Sequence, residues 1–144
     1  MALISQTGKS LKGFTLIELT IVLLIIGVLS AIAIPYMRGR SDAAKWSEGK
    51  TIAGSIKTAA QAFRGEKGAG FDFSATTLED LGFTLKPNGD LEGKFFTNDC
   101  FSIEFSPNGD YLITVDAAKS SRPDPPSSPR QVTLDSAGIF TEIP

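Results

Sequence analysis

Apolar and polar positions change their pattern twice along this chain. No formally charged residue occurs from Leu19 to Met37, and Phe14 to Ile17 extend the apolar run on the other side of Glu18. As a helix rising about 1.5 Å per residue, the run from Leu19 alone reaches roughly 28 Å, enough to cross a bilayer core. In lipid such a segment is helical, because no other single stretch satisfies its own backbone there. Gly27 and Pro35 weaken that helix, one through backbone entropy and the other through a lost hydrogen bond. Beyond Pro35 the pattern turns amphipathic. Gly49, Ile52, Ile56, Ala59 and Phe63 recur at three- and four-residue steps, which predicts one face of a helix continuing to about Phe63. Lys45, Glu48, Lys50 and Lys57 fall largely on other faces, and Trp46 reads as a packing residue. Gly65, Gly68 and Gly70 then close the helical region.

The remainder alternates on a shorter period. Thr77-Leu-Glu-Asp80 has the form of a capping box and predicts a short helical turn. Pro87-Asn-Gly-Asp90 and Pro107-Asn-Gly-Asp110 repeat one turn signal. The second lies between β-forming runs at 101–105 and 111–115, which predicts a tight hairpin. Ser120 to Arg130 holds four prolines in eleven residues, a composition of exposed loop rather than helix or central strand. Gln131–Asp135 and Gly138–Ile143 read as a closing hairpin. Four to five antiparallel strands on the apolar half of the helix give an α+β domain.

Glu18 is the chemically informative residue. A lone carboxylate in a membrane segment costs about 2.5–3.5 kcal/mol on insertion scales, so it calls for a partner. The segment offers no Lys or Arg, and the charge therefore points outside it.

Composition removes several function classes. The net charge of −2 carries no basic patch of the kind nucleic-acid binding requires, so no nucleic-acid partner is indicated. The absence of His removes zinc sites built on it and His-based acid–base catalysis. Cys100 is the single cysteine. It reads as a buried thiol in a strand-like run, with an intermolecular disulfide as the sharper alternative. The Asn-Gly-Asp turns do not have EF-hand spacing, and turn chemistry explains them without calcium. No metal or other cofactor is implied, and no catalytic set is present.

Lys12-Gly13-Phe14-Thr15-Leu16-Ile17-Glu18, followed by an uncharged run and Pro35, resembles the class III signal of type IV pilins and type II secretion pseudopilins. This motif covers about 25 residues of the 144 and fixes a glycine, an aromatic, a glutamate and a proline at set spacings. The resemblance implies a leader, residues 1–13, removed by a prepilin peptidase after Gly13, with N-methylation of the new terminus at Phe14. It also implies that Glu18 pairs with the Phe14 amine of a neighbouring copy during assembly. The stretch between Gly27 and Pro35 is then one that loosens as the helix enters a filament. A long helix at 14–64 follows, of which 14–37 is transmembrane and later filament core, and a β-rich head at 65–144. Removing residues 1–13 takes away Lys9 and Lys12 and no acid, leaving side-chain charges of 12 − 16 = −4.

Lys9 and Lys12 keep the leader cytoplasmic by the positive-inside rule, so the head lies across the inner membrane. An ordinary secretory signal is the rival, since Ala31-Ile32-Ala33 fits a cleavage site. The apolar run from Leu19 is too long for it, Glu18 interrupts its start, and the polar leader already ends in Lys-Gly. The partners implied by the resemblance are copies of this chain, the peptidase, an inner-membrane assembly platform and membrane lipid before assembly. The expected function is a structural subunit of a type IV pilus, with a pseudopilin as the alternative and a membrane-tethered binding module behind both. Many type IV pilins close a C-terminal loop with a disulfide, and one cysteine departs from that pattern.

Overall fold

The computed structural model of the protein describes residues 13–68 and 70–144. Lys9, Lys12 and the rest of the expected leader before Gly13 lie outside the described residues. The chain forms two compact units, one ending at Met37 and the other comprising Arg38–Pro144. Helix α1, Leu16–Lys67, supplies the first unit's secondary structure and the helical layer of the second. It runs through Gly27 and Pro35 without a break in assignment. It also continues one turn past the expected end at Phe63: Gly65 is helical, and the chain leaves the helix at Gly68, whose φ of 73° suits a residue without Cβ.

In the first unit the side chains face outward. Leu24 is 68% exposed and Ile32 69%, and the helix is long and apolar enough to cross a membrane.

The second unit is an α+β head. Four antiparallel strands follow one another in space as in sequence: β1 (Phe101–Phe105), β2 (Tyr111–Asp116), β3 (Gln131–Asp135) and β4 (Phe140–Ile143). The hairpin expected at Pro107–Asp110 joins β1 to β2, with Phe105 opposite Tyr111 and Phe101 opposite Val115. Gly109 takes a φ of 86° there, as an Asn-Gly turn requires. The second hairpin turns at Gly138, with a φ of 93°. Alternation then decides the faces: Tyr111, Ile113 and Val115 of β2 and Val132 and Leu134 of β3 are buried, while Leu112 is exposed.

The head's core also takes Trp46, Ala53, Ile56 and Ala60 from α1, with Leu91 and Phe96 from the connecting segment. The buried stripe is rotated from the expected one. Ala60 and Ala53 are fully buried while Ala59 is only half-buried. Gly49 permits the closest approach, since a Cβ there would meet the Phe96 ring at 2.9 Å. Trp46 stacks obliquely on Phe96, their centroids 5.2 Å apart, which settles it as a core residue.

Three local expectations need correction. Thr77–Asp80 makes both capping-box bonds, the Thr77 N–H donating to Asp80 Oδ2 at 2.8 Å and the Asp80 N–H to Thr77 Oγ1 at 3.4 Å, yet it closes a turn rather than a helix. The bonds are satisfied within four residues, and no apolar stripe follows to extend them. Cys100 ends a 3-10 turn at Asn98–Cys100 instead of lying in a strand. It is buried as a free thiol and accepts from the Thr97 N–H at 3.4 Å. Lys45, expected off the apolar face, is buried, because the segment at 120–130 brings Asp124 onto it.

Candidate functional site

Sequence chemistry concentrates at the start of α1. Gly13 and Phe14 precede the helix, and Phe14 is 90% exposed. The peptide bond between them therefore lies in non-helical, exposed chain, the form in which a protease can engage backbone. Glu18 sits in the first turn of α1, where an acid complements the helix dipole. Its carboxylate is not partnerless within the chain. Glu18 Oε2 accepts from the Thr15 N–H at 2.9 Å and from the Thr15 hydroxyl at 2.7 Å. Thr15 Oγ1 in turn accepts from the Glu18 N–H at 3.3 Å. This is a reciprocal capping box, Thr15-x-x-Glu18, and it satisfies two otherwise orphaned donors. Thr15 is the residue that reading the charge alone missed, although the same signature was legible at Thr77–Asp80. Among the described residues Glu18 Oε1 has no hydrogen-bond partner, so one carboxylate oxygen is available to a donor from elsewhere.

Gly27 and Pro35 are not brought together with Glu18 or Phe14. Nothing lies within 4 Å of a Cβ placed at Gly27, and Pro35 is an interior helix residue without an N–H to donate.

A second polar constellation lies wholly in the head. Asp42 is buried and its Oδ2 accepts from the Ser127 hydroxyl at 2.6 Å, the Ser127 N–H at 3.1 Å and the Ser128 N–H at 3.1 Å. Lys45 donates to Asp124 Oδ1 at 2.7 Å and stands 3.9 Å from Asp42 Oδ1. The Trp46 indole N–H donates to the Pro129 carbonyl at 3.0 Å. Burial pushes the Asp42 carboxyl up, but the Ser127 and Ser128 donors and the Lys45 charge outweigh it and hold the group below its ordinary value. The Pro-rich segment, though irregular and largely exposed as expected, is thus strapped to one face of α1. Nothing local in the sequence announces a pairing between residues 85 positions apart.

The Asn-Gly-Asp turns use their carboxylates internally. Asp90 Oδ2 accepts from the Thr84 N–H at 2.8 Å, and Asp110 Oδ2 accepts from the Asn108 amide at 2.9 Å. Among the described residues no group of three His, Cys, Asp or Glu side chains could hold a metal ion.

An exposed apolar helix with a capped acid in its first turn, carrying a small antiparallel sheet, is a pilin-like α+β arrangement. Comparison with known proteins narrows it further. Residues 9–34 match the family model described as the prokaryotic N-terminal methylation motif. Over 80 residues the chain is 41% identical to the type IV major pilin protein PilA of Myxococcus xanthus, covering 56% of this chain and 34% of that one. Over 88 residues it is 38% identical to a fimbrial protein of Pseudomonas aeruginosa, covering 60% and 57%. It is also 34% identical over 88 residues to the type II secretion system core protein G of Pseudomonas aeruginosa, covering 61% and 60%. No solved structure matches. The chain thus carries the N-terminal methylation motif at residues 9–34 and is similar over part of its length to type IV pilins, fimbrial proteins and a type II secretion core protein. It spans about a third to three-fifths of the length of these relatives.

Proposed function

We propose that the protein is a structural subunit of a type IV pilus. In this reading a prepilin peptidase removes residues 1–13 on the cytoplasmic side, and Phe14 becomes the methylated terminus. The apolar half of α1 anchors the precursor in the inner membrane with its head outside the cytoplasm. An assembly platform then passes it into a filament whose core is that same half-helix from many copies. The single observation that carries the reading is Glu18 itself, five positions into the processed chain and inside an apolar surface that nothing in its own unit covers. Its free oxygen, Oε1, is the acceptor for the Phe14 amine of the next copy, and in a low-dielectric core a mispaired charge is costly enough to fix the register. The helix between Gly27 and Pro35 loosens as copies pack, since Pro35 already withholds one backbone bond there.

A pseudopilin is the second reading, favoured by the similarity to core protein G over 88 residues, as many as for the fimbrial protein. The two readings share every residue named above and differ in the machine that extends the filament.

Intact-mass analysis of filaments sheared from the producing cells tests both. The expected subunit begins at Phe14 and carries one methyl group. A subunit beginning at Ile34 would mean ordinary signal cleavage, and one beginning at Met1 an unprocessed anchor. Either would overturn the proposal.

A further inference from the structure

Charge is divided between the two layers of the head. From Gly49 to Gly65 helix α1 carries Lys50, Lys57 and Arg64 and no acid. The four strands carry Glu104, Asp116, Asp135 and Glu142 and no Lys or Arg. Because the cations recur every seven residues, successive ones stand about 10.5 Å apart along the helix and drift only about 20° around it. They form one stripe, and no acid occupies the i±3 or i±4 positions of α1 that could offset them. Lys50 is met from within the chain by Glu142 at 2.8 Å, and half-buried Arg122 by Glu92 at 2.9 Å. Lys57 and Arg64 are equally half-buried, yet among the described residues neither belongs to an ion pair. They end beside the turn glycines of the two hairpins, Lys57 at Gly138 and Arg64 at Gly109.

The sheet's acids face the other way. Ile113 and Leu134 are buried, so their neighbours in β2 and β3 turn to the outer face, where the register aligns Glu104, Leu112 and Asp135 across three strands. Glu104 is exposed, and Asp135 uses one oxygen on the Ile139 N–H at 2.8 Å. Two strand spacings separate these carboxylates, about 10 Å. That is the step from Lys57 to Arg64.

We propose that the outer face of the sheet docks on the helix stripe of the next copy, with Glu104 and Asp135 of one copy pairing with Arg64 and Lys57 of the other. This rests on the filament reading above and names the surfaces through which the heads meet. The two patches lie on opposite layers of the head, so the contact is heterologous. Each copy offers a basic stripe to one neighbour and an acidic row to another, and the series stays open. Leu112, 41% exposed between the two acids, is covered in the same contact. Exposed ion pairs are weak singly, so these set the orientation of one head on the next while the apolar half-helix supplies cohesion. A slip of one helical turn, about 5.4 Å, takes both cations off both acids.

The yield of filaments sheared from producing cells tests the pairing by charge reversal and exchange. K57E/R64E and E104K/D135K are each expected to lower the yield about fivefold or more, since each sets like charges opposite one another. The quadruple variant K57E/R64E/E104K/D135K restores complementarity with the signs exchanged and is expected to recover most of the loss. Fluorescence of Trp46 in the detergent-extracted full chain follows head folding in every variant. Where a reversal lowers the unfolding midpoint, the milder K57Q/R64Q and E104Q/D135N carry the test, each with a loss of about two- to fivefold. A wild-type yield from the altered pairs, or a quadruple variant no better than its parents, would overturn the proposal and leave the filament reading standing. Absence of the chain from the filaments of wild-type cells would overturn that reading as well.

Discussion

Leu24, Ile25 and Val28 are as apolar as Leu134, Ile113 and Val115. The first three are 68%, 53% and 57% exposed, and the last three 2%, 0% and 1%. The head solves its hydrophobic problem internally: β1, β2 and β3 bury alternate residues in a core shared with α1, and Trp46, Phe96 and Ile56 fill it. The stretch before Arg38 solves nothing internally. One continuous helix thus carries a face that has its partner and a surface that must find one, in lipid or in further copies of itself. A continuous apolar surface of that extent on a single chain marks an interaction surface. The polar groups divide in the same way. In the head each buried charge has a close partner from the same chain, whereas Glu18 closes one oxygen on Thr15 and, among the described residues, leaves the other open.

The contrast is broken most severely by matched truncations. Phe96→Ala removes a fully buried ring that touches Trp46 and Phe101, and is expected to cost the head about 3–5 kcal/mol. Val28→Ala, in the exposed stretch, is expected to leave head stability within about 0.5 kcal/mol. Denaturant unfolding followed by the fluorescence of Trp46 measures both. Similar losses from the two variants would show that the apolar stretch is part of the head's folding unit.

A smaller effect sharpens the polar half of the comparison. Asp42→Asn weakens three charge-assisted hydrogen bonds to the strap and is expected to cost about 1.5–3 kcal/mol. The pH dependence has a defined sign. Because the folded state holds Asp42 below its ordinary value, its stabilisation is present above the unfolded carboxyl's pKa and is lost as pH falls through the lower folded one. Unfolding midpoints measured down an acid series are therefore expected to fall less steeply in Asp42→Asn than in the wild type. Parallel curves would remove Asp42 as the strap's anchor.

The sequence made periodic features readable and left long-range ones hidden. The strands at 101–105 and 111–115 were legible because alternation and an Asn-Gly turn both depend on neighbours in sequence. The N-terminal segment was legible for the same reason, since its glycine, aromatic, glutamate and proline lie on one short stretch. Lys45 was placed off the apolar face of the helix, and its burial was hidden because it comes with Asp124, 79 positions away, which only the folded chain brings near. The helix stripe was misplaced by one residue at Ala59, because two adjacent alanines look alike until the sheet chooses between them. Thr15 is different in kind. Its capping box with Glu18 is a Thr-x-x-Glu signature complete within four residues, so it was legible in the sequence.

The central claim is that Glu18 serves assembly rather than processing or folding. In cells producing Glu18→Ala in place of the wild type, N-terminal mass analysis of the membrane fraction and the yield of sheared filaments measure it together. The account predicts a subunit still cut after Gly13, a head that folds normally, and filament yield reduced to a small fraction of the wild type. Normal filament yield from a correctly processed Glu18→Ala subunit would contradict it.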